Sequence, residues 1–338
     1  MKERLTMRTL VLLGVVSLAV GCGGEPAPAP DPEPAEVMPA AVPSAGAIER
    51  LDAALDELVS PDAVIEHLAD GFQFTEGPFW VQEGGGFLLF SDVPGNRMIK
   101  WTPAGEVSDF IAPVFDGDYE GGFVGSNGIT GDADGNIVFA EHYNGRISRI
   151  SPDGTGRSIV VDAYEGVRFN SPNDLVYKSD GSLYFTDPAY GLPPETQGQD
   201  VHGIYRLSPD GAVERLAAQQ AANGLAFSPD ESRLYVSGGG QWMVYEVAGD
   251  GTLGEGDLFL EGGSDGMKVD ERGNLWATGR GGVWVISPEG VHLGTIAPDE
   301  SPANVAFGDA DGRTLYMTAV TGLYRVRTNV AGAGNAQR

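Results

Sequence analysis

Short runs of alternating apolar and polar residues, separated by Gly-, Pro- and Asp-rich turns, fill most of the chain. This period-two pattern is that of half-buried β-strands. Leu175, Val176 and Tyr177 lead into an Asp-Gly turn (Asp180, Gly181), and Leu183, Tyr184 and Phe185 lead out of it. The same strand–turn–strand unit begins at Glu76, Asn127, Asn173, Asn223, Asp265 and Asn304, at spacings of 51, 46, 50, 42 and 39 residues. A third strand follows, as in GRISRIS, GIYRLS or GVWVIS, and turns such as SPDG at Ser151 and Ser208 or SPEG at Ser287 lead to a fourth. Pro and Gly there supply the preset or positive φ that such turns require. Four antiparallel strands repeated six times predict an all-β fold, a six-bladed β-propeller spanning 61–328.

The ends of the array support this count. The sixth unit stops one strand short, after TLYMTAV and GLYRVRT, while an unassigned strand, AVIEHLA at Ala63 to Ala69, precedes the first. A strand from the N-terminal side is therefore expected to complete the last blade and leave no open edge. Before it, Ile48, Leu51, Leu55 and Leu58 recur at helical spacing, which predicts a short amphipathic helix over 47–60. Residues 329–338 carry little to bury and are expected to form a disordered tail.

The N-terminus changes the picture of where the protein works. Lys2, Arg4 and Arg8 precede the apolar run Thr9–Val20, and small residues lead to Cys22, the single cysteine of the chain. This is the pattern of a lipoprotein-type signal peptide over 1–21, too short to span a bilayer, with Cys22 as lipid acceptor. Residues 22–46 read as a Pro/Ala-rich extended tether. The expectation is an exported, membrane-anchored lipoprotein that faces the periplasm or the cell exterior. Loss of 1–21 removes Lys2, Arg4, Arg8 and Glu3 and takes the net charge from −27 to −29. A surface so acidic excludes nucleic acid as a partner, restricts membrane contact to the lipid anchor and attracts cations. A monomer acting on a small molecule is the simplest expectation.

Candidate chemistry lies at the heads of the six units. Glu76, Asn127, Asn173, Asn223, Asp265 and Asn304 all bear oxygen, and the innermost strand of a propeller blade lines the central channel. These residues are expected to converge near one end of that channel. Carboxylate and amide oxygens, without Cys or paired His, suit a hard cation such as Ca²⁺, although another divalent ion would also fit. Glu76 and Asp265 would balance its charge. By contrast, GGSDG (Gly262 to Gly266) has no strand-to-helix elbow and GDGTLG (Gly249 to Gly254) opens no helix, so both read as turns. His67, His202 and His292 have no metal-ligand spacing.

From about Ile48 to Arg327 the chain resembles the SMP-30/gluconolactonase family of calcium-dependent six-bladed propellers. The segments that carry the resemblance are TEGPFW, SDVPGNRMIKW, NSPNDLV, YFTDPAYGL, NGLAFSPDE, DGMKVDERGNLWATG and GGVWVISPEG. The resemblance implies Glu76, Asn173, Asn223 and Asp265 as metal ligands, with Asn127 and Asn304 as substrate contacts. It implies a Ca²⁺-dependent hydrolase that opens lactone rings, or a related esterase or organophosphate hydrolase on the same site; a non-catalytic ligand-binding propeller is the third reading. Gly238 stands where the family often has an acidic residue. Lactone hydrolysis on Ca²⁺ requires a nearby base, and Asp174, His142 and Glu141 are the candidates, with Asp265 also counted as catalytic through the metal. The loops Phe115 to Ser126 and Gly191 to Gly203 are expected to choose among lactone or ester substrates.

Overall fold

A computed structural model describes residues 44–334, apart from 120, 121, 194, 195 and 220 and the side chain of Ser264. The signal peptide, Cys22, nearly all of the tether and residues 335–338 lie outside the described residues. Six antiparallel sheets form the blades. Each of the first five runs from an inner strand outward in chain order, as in Thr75–Val81, Phe87–Asp92, Arg97–Trp101 and Val107–Ile111 of blade one. In blade six the inner three strands are Pro302–Gly308, Thr314–Ala319 and Gly322–Arg327, and the outer strand is Ile65–Asp70. Its register sets Ile65 opposite Val326 and Asp70 opposite Gly322, so strands from the two ends of the array close the ring.

Between neighbouring blades the apolar residues gather into six clusters, one per interface. The last interface, between blades six and one, packs Tyr316 and Leu323 against Trp80, Phe90 and Trp101, with Trp80 stacked on Tyr316 at 5.4 Å. Closure is thus hydrophobic as well as hydrogen-bonded.

Two expectations about the ends are corrected. Residues 47–60 are not one helix: Gly46–Arg50 is a fifth strand on blade five, with Ile48 opposite Ile296, and only Leu55–Leu58 is helical. Edge pairing satisfies the backbone of both strands and buries part of Ile48, which a marginal short helix could not match. Leu51, assigned to the apolar face, is 53% exposed. The tail is also ordered as far as Gly334. Val330 is fully buried beside Leu55 and Leu58, Gly332 bridges to Asp270, and the Ala333 N–H donates to the Val269 carbonyl at 2.8 Å. One buried valine and these backbone bonds hold what composition alone leaves loose.

Buried acids end the second strands of blades one to three, and those of blades one and three fix the loops that enter the inner strands. Asp92 accepts from the N–H groups of Gln73 (3.1 Å) and Phe74 (3.2 Å), just before Glu76. Asp187 accepts from the Asn170 N–H at 2.9 Å, just before Asn173. Burial pushes the Asp187 carboxyl up to about 7, against the Asn170 N–H and the Arg168 charge, which favour ionisation. Its native pKa therefore lies above the unfolded value near 4, the native state holds the extra proton, and stability falls as pH rises between the two. Asp187→Asn is expected to remove this part of the slope between about pH 4 and 7, an effect on the order of a few kcal/mol. Urea unfolding of both proteins across that range measures it, and parallel slopes would refute it.

Candidate metal centre

Each inner strand presents its polar head residue at the same end of the channel, and blade-to-blade contacts close the six into a ring. Gly77 lies against the Asn127 carbonyl so closely that a Cβ there would come within 1.9 Å of the oxygen. The Gly128 N–H donates to the Asn173 carbonyl at 2.7 Å. Thr186 donates its hydroxyl to the Asn223 carbonyl at 2.7 Å, and Ser237 does the same to the Asp265 carbonyl at 2.6 Å. Gly266 abuts the Asn304 side chain, and the Asn304 amide donates to Glu76 Oε2 at 3.0 Å. Glycine after four of the six head residues (Gly77, Gly128, Gly224 and Gly266) is what lets the strands approach.

Glu76, Asn127, Asn173, Asn223 and Asn304 are buried, at 8% exposure or less, and Asp265 is half-buried. Glu76 and Asp265 come close enough to share a hydrogen bond, and Asp174 adds a third negative charge beside them. Burial first, and then the neighbouring Asp265 charge, hold the Glu76 carboxyl well above the usual range; burial likewise raises Asp265. Asn223 donates its side-chain amide to Asp265. Around this pair lie acceptors with no donor among the described residues: Asn127 Oδ1 and Asp174 Oδ2. Buried acceptors facing one another without donors cost free energy unless something positive joins them. Two carboxylates, amide oxygens and orphaned acceptors therefore fit a hard divalent cation. No group of three His, Cys, Asp or Glu residues forms a metal cluster among the described residues; half of the donor set at the ring is amide.

The other sequence candidates fall into place around the ring. Asn304 spends its amide N–H on Glu76 and its Oδ1 on the Val305 N–H at 2.8 Å, so it braces a carboxylate. Asp174 Oδ1 accepts from the Leu175 N–H at 2.8 Å, while Oδ2 stands 3.8 Å from Lys268 Nζ. Glu141 is committed to Arg146 at 2.9 Å and Arg157 at 2.7 Å. His142 is 1% exposed, not an open loop residue; its Nε2–H donates to the Tyr190 carbonyl at 2.7 Å. Burial holds its pKa down to about 4, so the ring is neutral at pH 7.

Three features escaped the sequence reading. Tyr190 reaches the ring: its hydroxyl donates to the Ala221 carbonyl at 2.8 Å and also bonds the Asn223 side chain, near Asp265. It lay inside the motif YFTDPAYGL with nothing local to mark it. Lys268 sits three residues beyond Asp265 and pairs with Asp174. The third feature is the second-strand hydroxyl, Ser91, Thr186, Ser237, Thr278 and Thr318, which bonds inner-strand carbonyls. Aligning the second strands would have exposed it, since only blade two departs, with Ala140.

Comparison with known proteins agrees with this architecture. Residues 74–321 match the SMP-30/Gluconolactonase/LRE-like region. A gluconolactonase from Zymomonas mobilis is 39% identical over 316 residues, covering 85% of this chain and 87% of that protein. Diisopropyl-fluorophosphatase from Loligo vulgaris is 25% identical over 72% of this chain and 84% of its own. Among solved structures, a gluconolactonase from Xanthomonas campestris superimposes with a TM-score of 0.75 at 33% identity, covering 86% of this chain and 99% of that one.

Proposed function

Because the chain belongs to the SMP-30/gluconolactonase/LRE-like family, whose relatives here include lactone hydrolases, we propose that it is a Ca²⁺-dependent lactonase. The observation that carries this reading is the ring: a buried and a half-buried carboxylate, Glu76 and Asp265, held together against their repulsion, with orphaned acceptors beside them. Glu76, Asn173, Asn223 and Asp265 would hold the ion, which when bound supplies the positive charge that polarises an ester carbonyl. Asn127 keeps a free Oδ1 for a substrate hydroxyl or a water. Asp174 Oδ2, which has no hydrogen-bond donor and only the Lys268 ammonium 3.8 Å away, would take a proton from the attacking water. The water oxygen then bonds to the carbonyl carbon, the ring C–O bond breaks, and the departing alkoxide takes up a proton to give the hydroxy acid. His142, neutral and with its N–H on Tyr190, acts by holding the loop that brings Tyr190 to Asn223.

Similarity to diisopropyl-fluorophosphatase supports a second reading, hydrolysis of a phosphorus ester on the same residues. The N-terminal pattern supports export and anchoring through Cys22. The test is hydrolysis of sugar lactones, aliphatic lactones, an aryl ester and a fluorophosphate by the full chain, with Ca²⁺ and after chelation. Lactone turnover that is lost on chelation and restored by Ca²⁺ is expected. Turnover of the fluorophosphate alone would favour the second reading, and Ca²⁺ binding without turnover of any of them would make the ring a binding site only.

A further inference from the structure

The channel continues below the ring into a small cavity of about 130 Å³, whose lining includes Gly332 to Gly334. Three residues past the ring, the inner strands of blades two, three and four give it Thr130, Val176 and Ala226, none of them charged. Blade five alone places a cation there, Lys268. Its Nζ donates to the Met267 carbonyl at 2.9 Å and stands 3.8 Å from Asp174 Oδ2. Asp174 in turn repels both Glu76 and Asp265. Among the described residues no other Lys or Arg is ion-paired with any of these three carboxylates.

We propose that Lys268 is a built-in counter-cation of the ring, a positioning residue that matches the site to a single divalent ion. The inference rests on the metal reading above. Three carboxylates carry three negative charges; a divalent ion meets two of them and the Lys268 ammonium the third. A trivalent ion would meet all three alone, and beside it the ammonium becomes an excess charge. Repulsion from a fixed positive charge scales with the charge of the bound ion. Neutralising Lys268 therefore favours every cation, and a trivalent one more than a divalent one.

The experiment compares Ca²⁺ and Tb³⁺ binding to the metal-free full chain by calorimetry and by Tb³⁺ luminescence, for wild type, Lys268→Met, Lys268→Gln and Lys268→Arg. Both neutral variants are expected to raise the Tb³⁺/Ca²⁺ affinity ratio roughly tenfold, whereas Lys268→Arg keeps it within about threefold of wild type. Two neutral side chains are used so that misfolding of one, seen by circular dichroism, leaves the other to decide. An unchanged ratio in a folded neutral variant, with wild type binding Ca²⁺ normally, would overturn the role of Lys268 alone. Absence of Ca²⁺ binding by wild type would overturn the metal reading and this inference with it.

Discussion

Asp265→Asn is expected to lower Ca²⁺ affinity by about two to three orders of magnitude and lactone turnover at least as much, without loss of fold. The substitution keeps the shape of the side chain and removes one of the two carboxylates that meet at the ring. Half of the ligand charge is lost, and ligand charge sets much of the affinity of an oxygen site for Ca²⁺. A carboxylate that neutralises a bound ion at a buried site is not replaced by an amide dipole. The metal-free protein should respond the other way. Burial first, and then repulsion from Asp265, hold the Glu76 carboxyl up, so neutralising Asp265 relieves a like-charge pair and the metal-free melting temperature should rise. Calorimetric Ca²⁺ titration and thermal melts with chelator read the two effects separately. Full affinity in the variant would remove Asp265 from the ligand set.

Gly77→Ala should give the largest loss of stability of any single methyl addition at the ring, more than about 3 kcal/mol. Gly77 has φ +52°, and an added Cβ would come within 1.9 Å of the Asn127 carbonyl oxygen and 2.8 Å of the Gly128 Cα. These are backbone atoms of the neighbouring blade, so no side chain can swing aside. The Gly77 N–H also donates to Glu76 Oε2 at 2.8 Å, so any shift reaches the site. Gly105 offers the control: its φ is +84°, but nothing lies within 4 Å of the added carbon. Gly105→Ala should cost only about 1–2 kcal/mol, the left-handed backbone penalty alone. Urea unfolding of the two variants measures the difference, and similar costs would show that the blades do not meet as described.

The propeller, its six units and its closure by a strand from the N-terminal side were legible because each strand pair repeats its own pattern in phase. The ring was legible for the same reason: one polar residue at one place in six repeats. What stayed hidden has no repeat to amplify it. The strand Gly46–Arg50 carries apolar residues that fit either period over so few positions, and only the free edge of blade five decides between them. Val330 is one buried side chain in a tail of mostly small residues. Tyr190 and His142 meet through a backbone carbonyl, a contact that leaves no mark on the type of either residue. Lys268 looks like any lysine in a strand until the fold places it under the carboxylates.

The most direct test of the account is to strip the full chain of metal, add Ca²⁺ in measured increments, and follow gluconolactone hydrolysis at each step. No turnover is expected at the start, with a rise that saturates at one equivalent of Ca²⁺ per chain. Full turnover in the metal-free protein would contradict it.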